Sequence, residues 1–167
     1  MDEIIGTKEY ADEQKGITKL GENQVFFLPY LMGERTPHNN PGARGAFVGM
    51  TMDTARKDMT QAVLEGVTFA LRDALEIARS FGVKIDRVRL VGGGAKSPLW
   101  CRMVANIMNV KVDKINSEEG PGFGAAILAA VGCKKFASVE EAAEKLIRVV
   151  ETTEPEAELV AKYERKY

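Results

Sequence analysis

The chain has 167 residues, of which 28% are charged and 45% hydrophobic, and its formal net charge is −1. A chain of this size suits one domain that buries roughly 70% of the surface it exposes when unfolded, and the composition excludes disorder or a fibrous repeat. Without a basic excess, a general binder of nucleic acid or of a membrane surface is also excluded.

The opening MDEIIGTKEY has neither the basic nor the long apolar region of a signal peptide, and no stretch reaches the roughly 18 uninterrupted apolar residues of a membrane span. A cytoplasmic location is therefore expected. Residues 1–24 are polar and are expected to begin with a short helix. QVFFLPYL follows, a β-forming run that Pro29 confines to a sheet edge or bulge. MGERTPHNNPGARG is dense in Gly, Pro and Asn and must be a loop, of a length more often functional than idle. GAFVGM predicts a short strand.

Asp53 is placed to cap a long helix over about Thr54 to Phe81. Its Met59, Val63, Val67, Ala70, Ala74, Ile77 and Phe81 recur at spacings of three and four, which predicts a core-facing stripe. Gly82 is a C-terminal signal, and Gly66 and Ala70 leave room for a neighbouring element. RVRLVGG is then a strand, with Ser97 as the cap and Pro98 as the first residue of a helix whose apolar side is Trp100, Met103, Val104, Ile107 and Met108. With KVDKI as a second strand, residues 87–115 have the βαβ pattern of a parallel sheet.

NSEEGPGFG opens a small-residue helix, GAAILAAVG, and the pairs Ser138–Glu141 and Thr153–Glu156 have the capping-box spacing of two terminal helices. Cys101 and Cys133 lie in apolar, helix-like stretches and read as two buried thiols without a disulfide. Only four strands are legible. The sheet is therefore expected to lack its first strands, leaving an edge that another chain, or a second copy in a homodimer, could cover.

The densest signal is LVGGGAKSPLW, residues 90–100. Three glycines at the carboxyl end of a strand either let a ligand approach backbone N–H groups or form a tight structural turn. The P-loop pattern fails, because Leu90 and Ala95 stand where it needs glycine ahead of Lys96 and Ser97. The dinucleotide pattern G-x-G-x-x-G fits Gly92 and Gly94 but meets Ser97 at its third place, with Asp113 as a ribose-binding acid or an outward-facing strand residue. His38 is the only histidine, so a His-based metal site or a catalytic triad could use no other. Glu34, Arg35, His38 and Arg44 share the long loop and could meet an anionic or polyhydroxylated ligand, whereas Glu65 and Asp73 on the long helix suit solvated or ion-paired roles.

Together, FLPYLMGERTPHNNPGARGAFVGMT, DMTQAVLEGVTFALRD, LVGGGAKSPLWCRMVANI and SEEGPGFGAAILAAVG resemble the carboxyl-terminal domain of the FGGY carbohydrate kinases. PYLMGERTPH is similar to the members that phosphorylate the ketose D-xylulose. The second FGGY signature is met in full by Gly45, Phe47, Gly49 and Met50, followed by Asp58, Met59, Ala62, Val63, Leu64 and Glu65. The resemblance implies an actin-like, ribonuclease-H-like ATPase fold with a mixed sheet and flanking helices, and makes residues 1–167 a single, partial carboxyl-terminal domain. It implies ATP or ADP with Mg2+ as cofactor and a ketose sugar as the second substrate. It places the base and ribose of ATP on Gly92, Gly93, Gly94, Ala95 and Ser97, and makes Gly122, Gly124 and Ala125 packing and hinge residues. Asn106 stands where many relatives have aspartate and is expected to support its helix. The family's catalytic aspartate and a Gly-Thr phosphate loop are not visible before Gln24, so the resemblance implies no catalytic residue here and a chain inactive alone. The alternative is a stand-alone binding or assembly module with the same fold.

Overall fold

The computed structural model describes residues 7–117 and 120–167. Residues 1–6 and, in the NSEEGPGFG turn, Glu118 and Glu119 lie outside the described residues. In chain order the elements are α1 (Thr7–Gln14), β1 (Phe26–Leu28), β2 (Ala46–Val48), α2 (Arg56–Ser80), β3 (Arg87–Leu90) and a single 3₁₀ turn over Gly93–Lys96. They continue with α3 (Pro98–Met108), β4 (Lys111–Ile115), α4 (Gly120–Gly132), α5 (Val139–Leu146), β5 (Val149–Thr153) and α6 (Ala157–Glu164).

Two small sheets flank the helices. β1 and β2 pair antiparallel, Phe27 opposite Phe47, and Pro29 lies just past the end of β1 as an edge position requires. β4 is the middle strand of the second sheet, parallel to β3 and antiparallel to β5. The predicted βαβ unit over residues 87–115 is present, and the sheet is mixed. β5 is a correction. VVETT forms a strand with Thr153 opposite Val112, so Thr153 caps no helix; α6 starts at Ala157, and its preceding amide, Glu156 N, donates to Asn106 Oδ1 at 2.7 Å. Asn106 thus supports two helices, since its Nδ2 also donates to Arg102 O at 2.8 Å.

α2 is shorter than expected and turned differently. Asp53 does not cap it; Asp58 Oδ2 accepts from Ala55 N at 2.9 Å, while Thr54 and Thr51 brace the preceding turn. Its buried face is Gln61, Ala62, Leu64, Glu65, Gly66, Thr68 and Arg72, not the predicted apolar stripe, whose lower end at Ile77 and Phe81 is exposed. The close approach foreseen at Gly66 is real: a Cβ there would sit 2.1 Å from Phe27 O, so β1 packs directly on the helix backbone.

Two apolar clusters fill the interior. Ile17, Leu20, Leu64, Met103, Ile107, Leu159 and Tyr163 join the segment after α1 to α2, α3 and α6. Cys101, Val104, Ala105, Met108, Val110 and Val112 seat the other side of α3 on the β3–β4–β5 sheet. Cys101 is therefore buried as expected, but Cys133 is exposed at the end of α4. α4 packs on α5 and buries only Ile127 among its described residues, and Leu128 stays 60% exposed.

Candidate functional site

The glycine run leaves β3 through Gly92, whose φ of 83° and ψ of −170° belong to a region essentially reserved for glycine. The chain then makes the 3₁₀ turn and enters α3 at Ser97, whose Oγ accepts from Trp100 N at 3.1 Å, with Pro98 at the first helical position. The Ser97 hydroxyl donates to Gln14 Oε1, which ties the loop to α1.

Between these elements lies a cavity of about 680 Å³. Its floor and walls are Val63, Leu64 and Val67 of α2, with Leu99 and Trp100 of α3; Gly93, Gly94, Lys96 and Ser97 form its loop side, and Ala11 and Gln14 of α1 close it. The size falls within the range of small-molecule sites, and so does the pattern of apolar walls with a few polar groups. The glycines divide the work. A Cβ on Gly93 would meet nothing within 4 Å, so this backbone faces open space; one on Gly94 would lie 1.8 Å from the Trp100 ring. Trp100 is itself fixed, its Nε1 donating to Thr68 Oγ1 at 3.0 Å and Leu64 O at 3.3 Å.

Of the five expected residues, Gly93, Gly94 and Ser97 line the cavity, Gly92 sets the turn, and Ala95 is buried behind the loop, its carbonyl accepting from Cys101 Sγ. Sequence reasoning missed Gln14, which carries no local signal, and assigned Val63 and Val67 to the core. Their apolar spacing was the available clue.

The other candidates are held by the frame. Glu34 Oε2 accepts from the amides of His38 and Asn39 at 2.6 and 3.0 Å, and Arg44 donates to Pro41 O and Ala43 O, so the loop braces itself. His38 Nε2 lies 3.6 Å from Asp73 Oδ2, and Asp73 Oδ1 accepts from Tyr167 Oη at 2.8 Å. Glu65 is buried and ion-paired, accepting from Gln61, Tyr163 and Lys166. Asp113 is neither outward-facing nor open to a ribose. It is 1% exposed, and the Thr152 hydroxyl and Arg87 guanidinium, each at 2.7 Å, hold its carboxyl below the ordinary value against the opposing effect of burial. The dinucleotide pattern thereby loses its acid. Among the described residues no group of three or more His, Cys, Asp or Glu side chains is placed to hold a metal ion.

Residues 3–133 match the FGGY family of carbohydrate kinases, C-terminal domain. Over 150 residues the chain is 42% identical to a xylulose kinase of Staphylococcus epidermidis, a match covering 90% of this chain and 30% of that protein. A xylulose kinase of Bacillus subtilis is 43% identical over 144 residues, covering 86% of this chain and 29% of its own length. Among solved structures, a ligand-bound xylulose kinase from Lactobacillus acidophilus superposes with a TM-score of 0.82 at 28% identity, over 95% of this chain and 32% of that one. The chain thus spans about 30% of the length of the curated relatives it matches.

Proposed function

The chain belongs to the FGGY family of carbohydrate kinases, and from that premise we propose that its cavity holds the adenosine part of ATP in an enzyme that phosphorylates D-xylulose or a similar ketose. The fold is the actin-like ATPase fold of that family. The observation that carries the proposal is the open space at Gly93 in a cavity whose apolar lining includes Val63, Val67 and Trp100, which offers a flat base both backbone and apolar side chains.

In this reading the chain supplies binding and orientation. Phosphoryl transfer draws its rate from positioning, charge stabilisation and a base that takes the proton of the attacking hydroxyl. Among the described residues no carboxylate lines the cavity, and Glu65 is committed to its buried ion pair, so these residues hold the nucleoside and leave proton transfer to a group outside them. The expected Mg2+ finds no group of three or more His, Cys, Asp or Glu side chains among the described residues. On this reading the 167-residue polypeptide alone is expected not to phosphorylate D-xylulose at a kinase rate, and turnover of D-xylulose by it would contradict the reading. Exposed apolar residues on β1 and β2 and along α4, Leu28, Val48 and Leu128 among them, fit a surface covered by further parts of such a kinase. The same exposure favours the second reading, an assembly module or homodimer.

Trp100, the only tryptophan, makes the test direct. A saturable change in its fluorescence with ADP and with adenosine supports the nucleoside site. NAD binding that competing ADP does not displace, or no response to either adenine ligand by fluorescence and calorimetry, overturns it.

A further inference from the structure

Among the described residues three polar side chains line the cavity: Gln14, Lys96 and Ser97. Ser97 has its proton and one lone pair engaged by the frame, because its oxygen accepts from Trp100 N and its proton goes to Gln14, so it has no donor left for a ligand. That second bond also orients the Gln14 carboxamide. A hydroxyl that donates needs an acceptor, so Oε1 faces Ser97 and the Nε2 amino group points away from it. Among the described residues Nε2 has no hydrogen-bond partner, and Oε1 keeps a second lone pair. Gln14 therefore offers a donor beside an acceptor, held at the end of α1, in a cavity whose lining is mostly apolar.

We propose that Gln14 reads the base, its carboxamide pairing with the edge of adenine that sets an amino donor next to a ring-nitrogen acceptor. This inference rests on the nucleoside reading of the cavity and adds its specificity. The glutamine carboxamide matches adenine in two bonds, whereas a purine with a carbonyl at the same carbon offers no amino donor there. The apolar walls supply stacking area that any purine can use, and the inference assigns the discrimination between purines to Gln14.

The experiment compares adenosine and inosine binding to the full 167-residue chain and to Gln14→Ala and Gln14→Glu, by calorimetry, with thermal melts to confirm folding. Wild type is expected to prefer adenosine by about tenfold, the discrimination of one bidentate pair, and Gln14→Ala to bring the two affinities together. Gln14→Glu separates base reading from a merely structural tie. It keeps the acceptor for Ser97 but removes the amide donors, so adenosine binding is expected to fall about tenfold while the melt stays put. An adenosine-to-inosine ratio unchanged in both variants, with adenosine still bound by wild type, overturns this inference alone. A wild-type chain that binds neither nucleoside overturns the nucleoside reading with it.

Discussion

Replacing the three glycines one at a time with alanine separates three physical roles that the sequence presents as one motif. At Gly94 the added Cβ would lie 1.8 Å from Trp100 Cζ3 and 2.3 Å from Cε3. To regain ordinary contact the ring must retreat by about 2 Å. That movement breaks the Nε1 bond to Thr68 Oγ1 and shifts a side chain shared by both apolar clusters. Overpacking of about 1–3 kcal/mol and a lost hydrogen bond of about 1 kcal/mol give a destabilisation of about 2–4 kcal/mol. For a chain of this length that lowers Tm by roughly 5–15 °C. Gly92→Ala forces a side chain into φ of 83° and ψ of −170°, at a cost of about 1–3 kcal/mol. Gly93→Ala meets nothing within 4 Å and is expected to change stability by less than about 0.5 kcal/mol while weakening ADP binding. Melts followed by circular dichroism, with Trp100 emission and ADP titration on the same samples, read all three. A Gly94→Ala variant that melts with wild type, or a Gly93→Ala variant as damaged as Gly94→Ala, refutes the assignment.

The buried Glu65 is 2% exposed and paired with Lys166, so Glu65→Leu alone is expected to cost about 3–5 kcal/mol in urea unfolding; adding Lys166→Met should recover most of it, and a double variant as unstable as the single one would contradict the pairing. Gly66→Ala places a Cβ 2.1 Å from Phe27 O and is expected to part β1 from α2, read as early amide exchange in β1 and β2 with α3 still protected. At acid pH, Asp113 has its carboxyl lowered in the folded state by Thr152 and Arg87; its stabilisation is present above the ordinary value near ~4 and lost as pH falls through the folded value, and Asp113→Asn should remove that part of the slope. At alkaline pH, burial and then Asp73 push the Tyr167 hydroxyl up to about 12, so its contribution is complete below ~10 and lost as pH rises through about 12; Tyr167→Phe should flatten the melting profile there.

The βαβ unit and the capped start of α3 were legible because their signals are local. A β-rich run, a glycine turn, Ser97 with Pro98 and a second β-rich run each constrain only their neighbours in the chain. β5 was hidden by a competing local signal, since Thr153 and Glu156 have capping-box spacing but Thr153 is taken by Val112 across the sheet. The orientation of α2 was hidden by long-range satisfaction. Gln61, Glu65, Thr68 and Arg72 look like a solvated face, yet Glu65 meets Tyr163 and Lys166, and Arg72 meets Ile107 O and Glu164 Oε1, all distant in sequence. Those partners offset much of the cost of burying the polar face, and they tie α2 to the chain's last turn.

That inversion bears directly on the site. Hydrophobic periodicity marks surface that is unfavourable in water, and it does not say whether protein or ligand will cover it. On α2 the polar face is covered by protein through paired groups, while Val63 and Val67 of the apolar stripe line the cavity beside Gly93. The stripe and the glycine loop were therefore two signs of one feature, read separately because they lie about thirty residues apart in the chain. Gln14 gave no sign at all, since a lone glutamine on a polar helix acquires meaning only when Ser97 fixes which end of its carboxamide faces the cavity. The residues that build such a site announce themselves by pattern; the one that would select its occupant is set by a single hydrogen bond between distant segments.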